Sequence, residues 1–302
     1  MEKNIQYREM KNVCIIGAGN LGTSLGYALS KKGYRIKALS CRRMSSANES
    51  SRIIGEGKPS RDNIKTAGCG ELIILSVPDD EIEKVVRELA SSDIEWEKKF
   101  VFHCSGLLSS DVLKPLKKKG AITASVHPVQ SFAQKNADPK AFEGIYFGLE
   151  GCREGVALAQ QIVRKLGSCY FIIQPEDKPL YHAACCIASN FLIVLLDAAV
   201  FLLKMLGLEE HEASQALLPL VQGTLHNVKK FTIAASLTGP VVRGDRKSLE
   251  KHLDALKDFP PYYEIYLRAV AQAIKIAKRE KKLSSNKIKD LEALLGEKGL
   301  PL

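Results

Sequence analysis

The sequence predicts two domains of different fold class: an α/β domain with a largely parallel sheet over residues 1–175, and a smaller all-α domain over residues 176–302. Three observations support this division. Short apolar runs alternate with amphipathic helical segments up to residue 173, which is typical of parallel strands joined by crossover helices. A glycine-rich turn follows the first apolar run. Beyond Pro175 the strand patterns cease and helical periodicity takes over.

The elements of the two domains follow from these patterns. Seven apolar runs are the candidate strands, at residues 13–16, 36–40, 72–77, 100–103, 122–126, 146–149 and 170–173. Helical patterns fill most of the gaps, most clearly at residues 21–32, 80–90 and 155–166. The second domain shows helical periodicity over residues 177–206, 209–236, 245–257, 260–282 and 286–297. Because the pattern changes there, Pro175 and Pro179 mark the predicted boundary.

The composition is that of a soluble globular protein, with 45% hydrophobic and 26% charged residues. The polar N-terminal stretch MEKNIQYREMKN lacks the apolar core of a signal peptide, and no window has the length of an apolar membrane span. The most apolar segment, residues 192–206, contains Asp197 and Lys204 and is predicted to be a buried helix. We therefore expect a cytoplasmic protein without a membrane segment.

Cysteine spacing and charge exclude two further classes. The eight cysteines form no CxxC pair or zinc-type cluster, so we predict no metal site and expect reduced thiols. The net charge of +10 raises the alternative of a nucleic-acid binder. Much of the basic excess lies in residues 117–120 and 275–283, without interleaved aromatic residues or an RNA-binding signature. Solvated basic helix ends explain it better, and a positive field also suits an anionic cofactor.

A dinucleotide-binding loop is predicted at the first strand–helix junction, which reads IIGAGNLG. Gly17 allows the tight turn, Gly19 lets the backbone approach a pyrophosphate, and Gly22 lets the helix and strand pack closely. The N-terminus of the helix offers unpaired N–H groups to phosphate. The expected cofactor contacts in this Rossmann-type loop are therefore Gly17, Ala18, Gly19, Asn20, Leu21 and Gly22.

The cofactor is predicted to be NADP(H) rather than NAD(H). An NAD-binding chain has an acidic residue near the end of the second strand to hold the ribose hydroxyls, whereas this sequence reads LSCRR. Ser40, Arg42 and Arg43 can instead bind a phosphate, since guanidinium groups match its oxygens in two-point contacts. The end of the third apolar run opens onto the same crevice and adds three predicted contacts: Ser76, Val77 and Pro78.

Six motifs together resemble a known family: GAGNLG, ILSVPDDEI, FHCSGLLSSDVL, SVHPVQSF, YHAACCIASNF and LTGPVVRGD. The chain is similar to an NADP-oxidoreductase-like family that joins a Rossmann domain to an all-helical domain of formerly unknown function. That family lies in the superfamily of 6-phosphogluconate dehydrogenase, ketopantoate reductase and prephenate dehydrogenase. The resemblance implies a helical domain like the C-terminal domain of 6-phosphogluconate dehydrogenase, and a homodimer formed through the long apolar helix at residues 180–206.

His127 is the leading candidate for the catalytic residue. It ends a predicted strand in the sequence ITASVHPVQ, where the carboxyl ends of parallel strands bind ligands. Histidine titrates near neutrality and can supply the proton that carbonyl reduction requires. The His-Pro pair is similar to that of prephenate dehydrogenases, which implies a bond to the reacting hydroxyl. Gln130 follows closely and is predicted to contact the substrate, whereas His103 is expected to be structural.

Two further catalytic candidates depend on the resemblance. Ser105 corresponds to a region that hydrogen-bonds the substrate or the carboxamide in relatives. Asn190 lies in a very apolar helix, where a polar side chain needs a partner, and related hydroxyacid dehydrogenases place a Lys-x-x-x-Asn helix against the nicotinamide. Here Cys186 replaces that lysine, which shifts the proposed acid to His127. His182, with Tyr181 beside it, is predicted to reach the substrate pocket.

The motif LTGPVVRGDRKSLEKHL supplies the last candidates. Asp245 is predicted to cap a helix N-terminus. Arg243 is a candidate clamp for a substrate carboxylate. His252 lies seven residues beyond Asp245, close to the same helix face, and is a weaker candidate.

These observations predict an NADPH-dependent oxidoreductase that acts on a small carbonyl or hydroxy compound, with a 2-oxo acid such as ketopantoate as the leading substrate. Two other reactions stay open: a prephenate-like oxidative decarboxylation and the reduction of an imine. A non-catalytic NADPH-binding sensor is the alternative from another class, and it predicts cofactor binding without turnover.

Overall fold

A computed structural model describes residues 10–135 and 137–300 of the chain. The chain divides into two units, one ending at Phe191 and the other beginning at Leu192. Each unit has its own hydrophobic core. The division falls later in the chain than the predicted boundary at residue 175, and the helix between the two positions explains the difference.

The first unit is built on one eight-stranded sheet. Its strands are β1 (Asn12–Ile16), β2 (Arg35–Ser40), β3 (Lys58–Ser60), β4 (Leu72–Leu75), β5 (Phe100–His103), β6 (Ile122–Pro128), β7 (Tyr146–Gly151) and β8 (Cys169–Ile172). Their order is β3-β2-β1-β4-β5-β6-β7-β8. Every neighbouring pair is parallel except β6 and β7, which are antiparallel.

The helices of the first unit cover both faces of this sheet. They are α1 (Asn20–Lys31), α2 (Met44–Ile54), α3 (Asn63–Gly68), α4 (Asp79–Ala90), α5 (Lys114–Lys117), α6 (Arg153–Lys165) and α7 (Lys178–Ala188). Two separate apolar clusters result, because alternate residues of each strand point to opposite faces. Within β1, for example, Val13 and Ile15 join one cluster whereas Cys14 and Ile16 join the other.

All seven predicted strands are present, and an eighth was missed. The missed strand, β3, has three residues, lies at the sheet edge and contains Pro59. Proline cannot donate to a ladder and is confined to such edge positions, so the sequence has no apolar alternation that would reveal the strand. The other edge strand, β8, leaves Phe171 and Ile172 partly exposed, 39% and 50% respectively.

Helix α7 belongs to the first unit because its first turn contacts the sheet. Lys178 Nζ donates hydrogen bonds to the Ser105 carbonyl and to Ser125 Oγ, and Tyr181 OH lies 2.5 Å from His127 Nδ1. The continuous helix predicted over residues 177–206 is divided at Ser189, which separates α7 from the next helix and has φ −118° and ψ −69°.

The second unit is all-helical. It contains α8 (Asn190–Met205, from its third residue), α9 (Glu210–Lys230), α10 (Pro240–Arg243), α11 (Arg246–Leu256), α12 (Pro260–Arg279) and α13 (Ser285–Glu297). Its apolar core comes from the last four of these helices. Asp245 caps α11 as predicted, since its carboxylate accepts a hydrogen bond from the Ser248 N–H at 3.1 Å.

Helix α8 corrects two predictions. Residues 192–206 were expected to be buried, but Ile193 and Leu206 are 64% and 75% exposed. The run Pro175–Met205 is also, by length and composition alone, apolar enough to cross a membrane. The prediction that no window has the length of a membrane span was therefore wrong. It took Asp197 and Lys204 as the limits of the apolar segment and left out the apolar residues before position 192. One side of α8 packs within its own unit, since Phe201 stacks on Tyr262 of α12 with ring centroids 4.3 Å apart. The exposed apolar side chains form a patch of the kind that marks an interaction site.

Candidate active site

The glycine-rich loop between β1 and α1 has the geometry that its sequence requires. Gly17 has φ +91°, and a Cβ atom there would lie 2.6 Å from the Val77 backbone nitrogen. A Cβ at Gly22 would lie 2.4 Å from Ser76 Oγ, so the closeness of α1 to the sheet requires glycine. At Gly19, by contrast, only the Gly17 carbonyl comes as near as 4.0 Å. The loop backbone is therefore open to a ligand at Gly19.

The other three loop residues hold the loop in shape. The Ala18 carbonyl accepts hydrogen bonds from Thr23 Oγ1 at 3.1 Å and from Ser50 Oγ at 2.8 Å. Asn20 Nδ2 donates to the Phe132 carbonyl at 3.1 Å, and Leu21 packs against the core. These contacts hold the loop against the rest of the first unit.

A cavity of about 530 Å³ opens beside this loop. It brings together most of the predicted cofactor contacts, namely Gly17, Gly19, Ser40, Arg42, Arg43, Ser76, Val77 and Pro78. Arg61 and Lys84 also line it and were not predicted. Arg61 follows β3, the strand that the sequence did not reveal. Three guanidinium groups in one cavity beside a dinucleotide loop suit a phosphate on the adenosine ribose.

One predicted phosphate contact has another role. Ser40 Oγ donates to Asn63 Oδ1 at 2.8 Å, and Asn63 Nδ2 donates to Glu88 Oε2 at 2.9 Å. This chain of hydrogen bonds joins the end of β2 to α3 and α4, so the hydroxyl hydrogen of Ser40 is already engaged.

His127 and Tyr181 form a hydrogen-bonded pair at the carboxyl end of β6. His127 Nδ1 lies 2.5 Å from Tyr181 OH, and the two rings meet edge to face with centroids 5.5 Å apart. His127 is paired across the sheet with Gly148 of β7. A Cβ at Gly148 would lie 2.9 Å from the Tyr181 hydroxyl oxygen, so the missing side chain makes room for the tyrosine.

The other nitrogen of His127 faces a second glycine. A Cβ at Gly106 would lie 2.9 Å from His127 Nε2 and 2.7 Å from His182 Cδ2. The His127 and His182 rings also meet edge to face, with centroids 6.3 Å apart. His182 therefore lies beside His127, and Tyr181 bonds His127 directly. The prediction that these two residues reach a substrate pocket stays a prediction.

Lys178 was missed by the sequence analysis, although it lies beneath this pair. It is 0% exposed, and its ammonium group donates to the Ser105 carbonyl at 2.9 Å and to Ser125 Oγ at 2.7 Å. Its Nζ also lies 5.8 Å from the Tyr181 ring centroid. A signal was available, because a lysine in the first turn of a helix opposes the positive end of the helix dipole and needs a compensating reason.

Burial dominates the electrostatics of this cluster. It lowers the pKa of His127 to about 3, with the positive charge of Lys178 as the second cause. Burial raises the pKa of Tyr181, so both partners of the pair are uncharged at neutral pH. The pKa of Lys178 falls to about 8 for the same reason, although Glu150 and Asp79 oppose the shift. Near neutral pH, Lys178 is thus predominantly charged beside a neutral pair.

Ser105 has a different environment from the one predicted. Its hydroxyl donates to Asp79 Oδ2 at 2.8 Å and accepts from the Leu107 and Leu108 N–H groups. The side chain is buried, and its hydrogen-bonding capacity is used inside the protein. Ser105 therefore shapes the turn after β5 rather than offering a free hydroxyl. His103 is structural as predicted, since Ser105 N–H donates to its Nδ1 and its Nε2 bonds the Ser109 carbonyl.

The remaining four candidates have other surroundings. Gln130 is exposed, accepts a hydrogen bond from the Ser131 N–H and lines a separate surface cavity. Asn190 is exposed at the start of α8. Arg243 and His252 belong to the second unit, where Arg243 is exposed and His252 Nδ1 lies 2.6 Å from Tyr266 OH. A substrate role for these four residues stays a prediction.

No group of three or more histidine, cysteine, aspartate or glutamate side chains within residues 10–135 and 137–300 is arranged to hold a metal ion. The cysteines in those ranges are all free thiols.

The sheet order, the open glycine loop and the arginine-lined cavity define the class of protein, a Rossmann-type domain followed by a helical domain. Residues 2–128 match the Rossmann-like domain family, and residues 145–274 match a domain of unknown function, DUF2520. The chain thus carries, in the same order, the two kinds of domain that its motifs predict, and the predicted resemblance is confirmed. No curated protein sequence matches the chain.

Solved structures share this fold along nearly their whole length. A Bacteroides fragilis protein described as an NADP oxidoreductase is 24% identical, with a TM-score of 0.73 over 87% of this chain and 97% of its own. Protein TM1727 of Thermotoga maritima is 29% identical, with a TM-score of 0.69 over 89% and 99%. An imine reductase of Streptomyces aurantiacus is 16% identical, with a TM-score of 0.63 over 93% and 99%. The predicted fold class is thereby confirmed.

Proposed function

We propose that this protein is an NADPH-dependent oxidoreductase that transfers a hydride to a small carbonyl substrate. The observation that carries the proposal is the His127–Tyr181 pair, which lies at the carboxyl edge of the sheet that also holds the glycine-rich loop. In open α/β sheets, ligands bind in the crevice at that edge. When bound, NADPH would supply the hydride to the substrate carbon.

The proton route follows from the geometry of the pair. If Tyr181 OH donates to His127 Nδ1, the imidazole carries its hydrogen on Nε2, the nitrogen that faces Gly106. A neutral imidazole can then give the Nε2 proton to the substrate oxygen and take the tyrosine proton at Nδ1. The acid in this scheme is a relay of two groups, which is consistent with the low pKa of His127.

The preference for NADPH rests on the arginine-lined cavity. Arg42 and Arg43 follow β2, and Arg61 adds a third guanidinium group from beyond β3. Arginine binds phosphate oxygens in a bidentate manner. We therefore expect Arg43→Ala and Arg61→Ala to weaken NADPH binding by roughly tenfold each while NADH binding changes little.

The substrate is proposed to be a 2-oxo acid, with ketopantoate as the first to test. Arg243 is the proposed carboxylate clamp, and Asn190 and Gln130 are the proposed orienting groups. An imine is the second candidate, supported by the fold that the chain shares with an imine reductase. A prephenate-like dehydrogenation is the third and would use the His127–Tyr181 pair in reverse.

The decisive experiment is a fluorescence titration of the purified protein with NADPH, NADH and NADP+. Ketopantoate, other 2-oxo acids and a cyclic imine are then added to the NADPH complex. The expected result is NADPH binding at least tenfold tighter than NADH binding, followed by substrate-dependent loss of the dihydronicotinamide signal. Turnover of the imine alone would replace the carbonyl assignment. Binding without turnover would favour a sensor, and no dinucleotide binding would overturn the proposal.

We also propose that the protein is a cytoplasmic homodimer whose interface includes α8. Ile193 and Val194 on that helix, and Leu206 just beyond its end, are at least 49% exposed, and an apolar patch of this kind marks an interface. Asp197 and Lys204 on the same helix disfavour a membrane location, since charged side chains are costly in a bilayer.

Light scattering in detergent-free buffer tests this assignment. The expected mass is twice that of the chain, and Val194→Glu is expected to halve it. The exposed substitution Lys289→Glu, on α13, serves as a control that keeps the dimer. A monomeric wild-type protein, or one that partitions into liposomes, would contradict the assignment.

A further inference from the structure

The burial of Lys178 is unusual for its side-chain type. Lysine is among the residues least often fully buried unless it is paired with an acid. Within residues 10–135 and 137–300, no carboxylate lies within ion-pair distance of its Nζ. Its two hydrogen-bond partners, the Ser105 carbonyl and Ser125 Oγ, are both neutral. A charge that lacks a paired counter-charge is costly to bury.

The nearby acids are engaged elsewhere. Both carboxylate oxygens of the buried Glu150 accept hydrogen bonds from Ser110, one from its N–H and one from its hydroxyl. Asp79 accepts a hydrogen bond from Ser105 Oγ at 2.8 Å. These carboxylates act on Lys178 only through space. No direct contact with a carboxylate therefore cancels the positive charge of Lys178. Its electric field acts on neighbouring groups such as His127, whose pKa it lowers.

The hydrogen bonds of Lys178 join two strands beneath the His127–Tyr181 pair. The Ser105 carbonyl lies just beyond β5, and Ser125 lies on β6, two residues before His127. Ser125 Oγ also lies 3.3 Å from the Ser105 carbonyl oxygen, so the three groups form one connected network. Lys178 and Tyr181 are three residues apart on α7, which places both side chains on one helix face. The hydrogen bonds of Lys178 thus hold in place both the end of β6, which carries His127, and the turn of α7 that carries Tyr181.

We propose that Lys178 is the positioning residue of the His127–Tyr181 pair and the fixed positive charge that stabilises the Tyr181 oxygen as it gives up its proton. This inference rests on the proposed function. In the forward reaction the Nε2–H bond of His127 breaks and a bond forms between that proton and the substrate oxygen. The Tyr181 O–H bond breaks and its proton moves to Nδ1. Tyr181 is left as a phenolate, which takes a proton from solvent water.

The charge distribution supports this role. Burial raises the pKa of Tyr181, so formation of the phenolate is unfavourable without a nearby cation. The Lys178 Nζ, 5.8 Å from the Tyr181 ring centroid, is such a cation. A preorganised charge in a water-poor site stabilises developing charge more than solvent would. The lysine thereby acts through the tyrosine and does not itself contact the substrate.

The titration of Lys178 depends on groups from several elements. The pKa of Lys178 is about 8, lowered first by burial and raised in part by nearby carboxylates and thiols. The titratable groups around it are Asp79 at the start of α4, His103 and Cys104 at the end of β5, His127 on β6, Glu150 on β7, and Tyr181 and Cys185 on α7. The reduction rate is therefore expected to fall as the pH rises through about 8, because the ammonium group then loses its charge.

The test combines kinetics with nuclear magnetic resonance. Lys178→Met is expected to lower kcat by roughly 10- to 100-fold while the Kd for NADPH stays unchanged, and to remove the loss of activity near pH 8. In the cofactor-free variant the pKa of His127, followed through its ring carbon resonances, is expected to rise, since the repulsion from Lys178 is gone. Lys117→Met, an exposed lysine of α5, is the matched control and should change neither property.

Other outcomes separate the two proposals. An unchanged His127 titration in a folded Lys178→Met protein would overturn the inference even if the melting temperature fell. Absence of turnover on every substrate would overturn the proposed function, yet the His127 titration would still decide the role of Lys178.

If Lys178→Met does not fold, the wild-type pH profile and the pH profile of Ser125→Ala decide the role of Lys178. Ser125→Ala keeps the charge of Lys178 and removes one of its hydrogen bonds, so the loss of activity near pH 8 should persist in this variant. A wild-type profile without a loss of activity near pH 8 would refute the inference.

Discussion

Two histidine–tyrosine pairs in this chain have almost the same geometry and entirely different surroundings. In the first unit, His127 Nδ1 lies 2.5 Å from Tyr181 OH, with ring centroids 5.5 Å apart and ring planes at 84°. In the second unit, His252 Nδ1 lies 2.6 Å from Tyr266 OH, with centroids 5.7 Å apart and planes at 87°. Hydrogen-bond geometry alone therefore does not distinguish them.

The surroundings make the difference. The first pair lies beside the buried cation Lys178, faces two glycines and ends a strand at the ligand-binding edge of a parallel sheet. The second pair joins α11 and α12 of the second unit, and its histidine is exposed. A hydrogen bond between exposed groups competes with water and contributes little beyond local stability. Burial, a fixed charge and an Nε2 atom that faces a glycine are what make the first pair a candidate for proton transfer.

The largest expected effect is on the reaction rate. His127→Asn and Tyr181→Phe each remove one member of the proton relay, so kcat should fall by about 10²- to 10³-fold with NADPH affinity preserved. Tyr266→Phe makes the same chemical change in the second pair and should leave kcat within about twofold of wild type. Steady-state kinetics with the substrate found by titration measures all three. A comparable loss in Tyr266→Phe would show that the two pairs do not differ in the way described.

A smaller effect on kcat is expected from Gly148→Ala, which adds a methyl group in the space that the Tyr181 ring occupies. The Cβ introduced by Gly148→Ala would lie 2.9 Å from Tyr181 OH and 2.5 Å from Ile173 Cδ1. We expect a loss of about 1–3 kcal/mol in the free energy of unfolding, together with a lower kcat as Tyr181 is displaced.

Gly223→Ala is the matched control for that substitution. Gly223 lies within α9, and a Cβ there would meet no atom within 4 Å. Alanine should stabilise this helix by about 1 kcal/mol relative to glycine and leave kcat unchanged. Equal melting temperatures for Gly148→Ala and wild type would mean that the space around Tyr181 is not as tight as the distances indicate.

The smallest effect is on acid stability. Because the pKa of His127 is lowered to about 3, the unfolded chain binds this proton more readily than the folded protein below about pH 6.5. The folded state should therefore lose up to about 2 kcal/mol from this group between pH 6.5 and pH 5. Melting curves recorded over that range should show a shallower decline for His127→Asn than for wild type. Identical slopes would indicate that His127 gains a proton in the folded protein as readily as in the unfolded one.

The candidate site was predictable from the sequence only in part. The glycine loop and the two arginines after β2 could be predicted because their proposed roles depend on residues that are close in sequence. His127 could be predicted because a histidine followed by proline ends a clear strand. Arg61 could not be predicted, since the short strand before it has no apolar pattern. Lys178 was counted among ordinary helix residues, and its partners Ser105 and Ser125 lie 73 and 53 positions away.

Tertiary structure also changed the interpretation of several predicted residues. Ser105 was selected for its hydroxyl, yet the fold directs that hydroxyl to Asp79 and two backbone N–H groups. Ser40 was selected for phosphate, yet it bonds Asn63. Helix α8 was expected inside the second unit, although the core of that unit forms from other helices. In each case the residue type was compatible with several partners, and only the packing selected one.

The order of strands and helices, the glycine-rich loop and the arginines proposed to bind phosphate were determined by the sequence itself, because periodicity, glycine and local charge act over a few residues. The antiparallel β7, the union of Lys178, Tyr181 and His127, and the position of α7 on the sheet were decided only by tertiary structure. These features bring together groups from distant parts of the chain, and burial then sets their protonation. Chemistry that depends on a low dielectric and a nearby charge cannot be read from local sequence, since both properties arise only when the chain is folded.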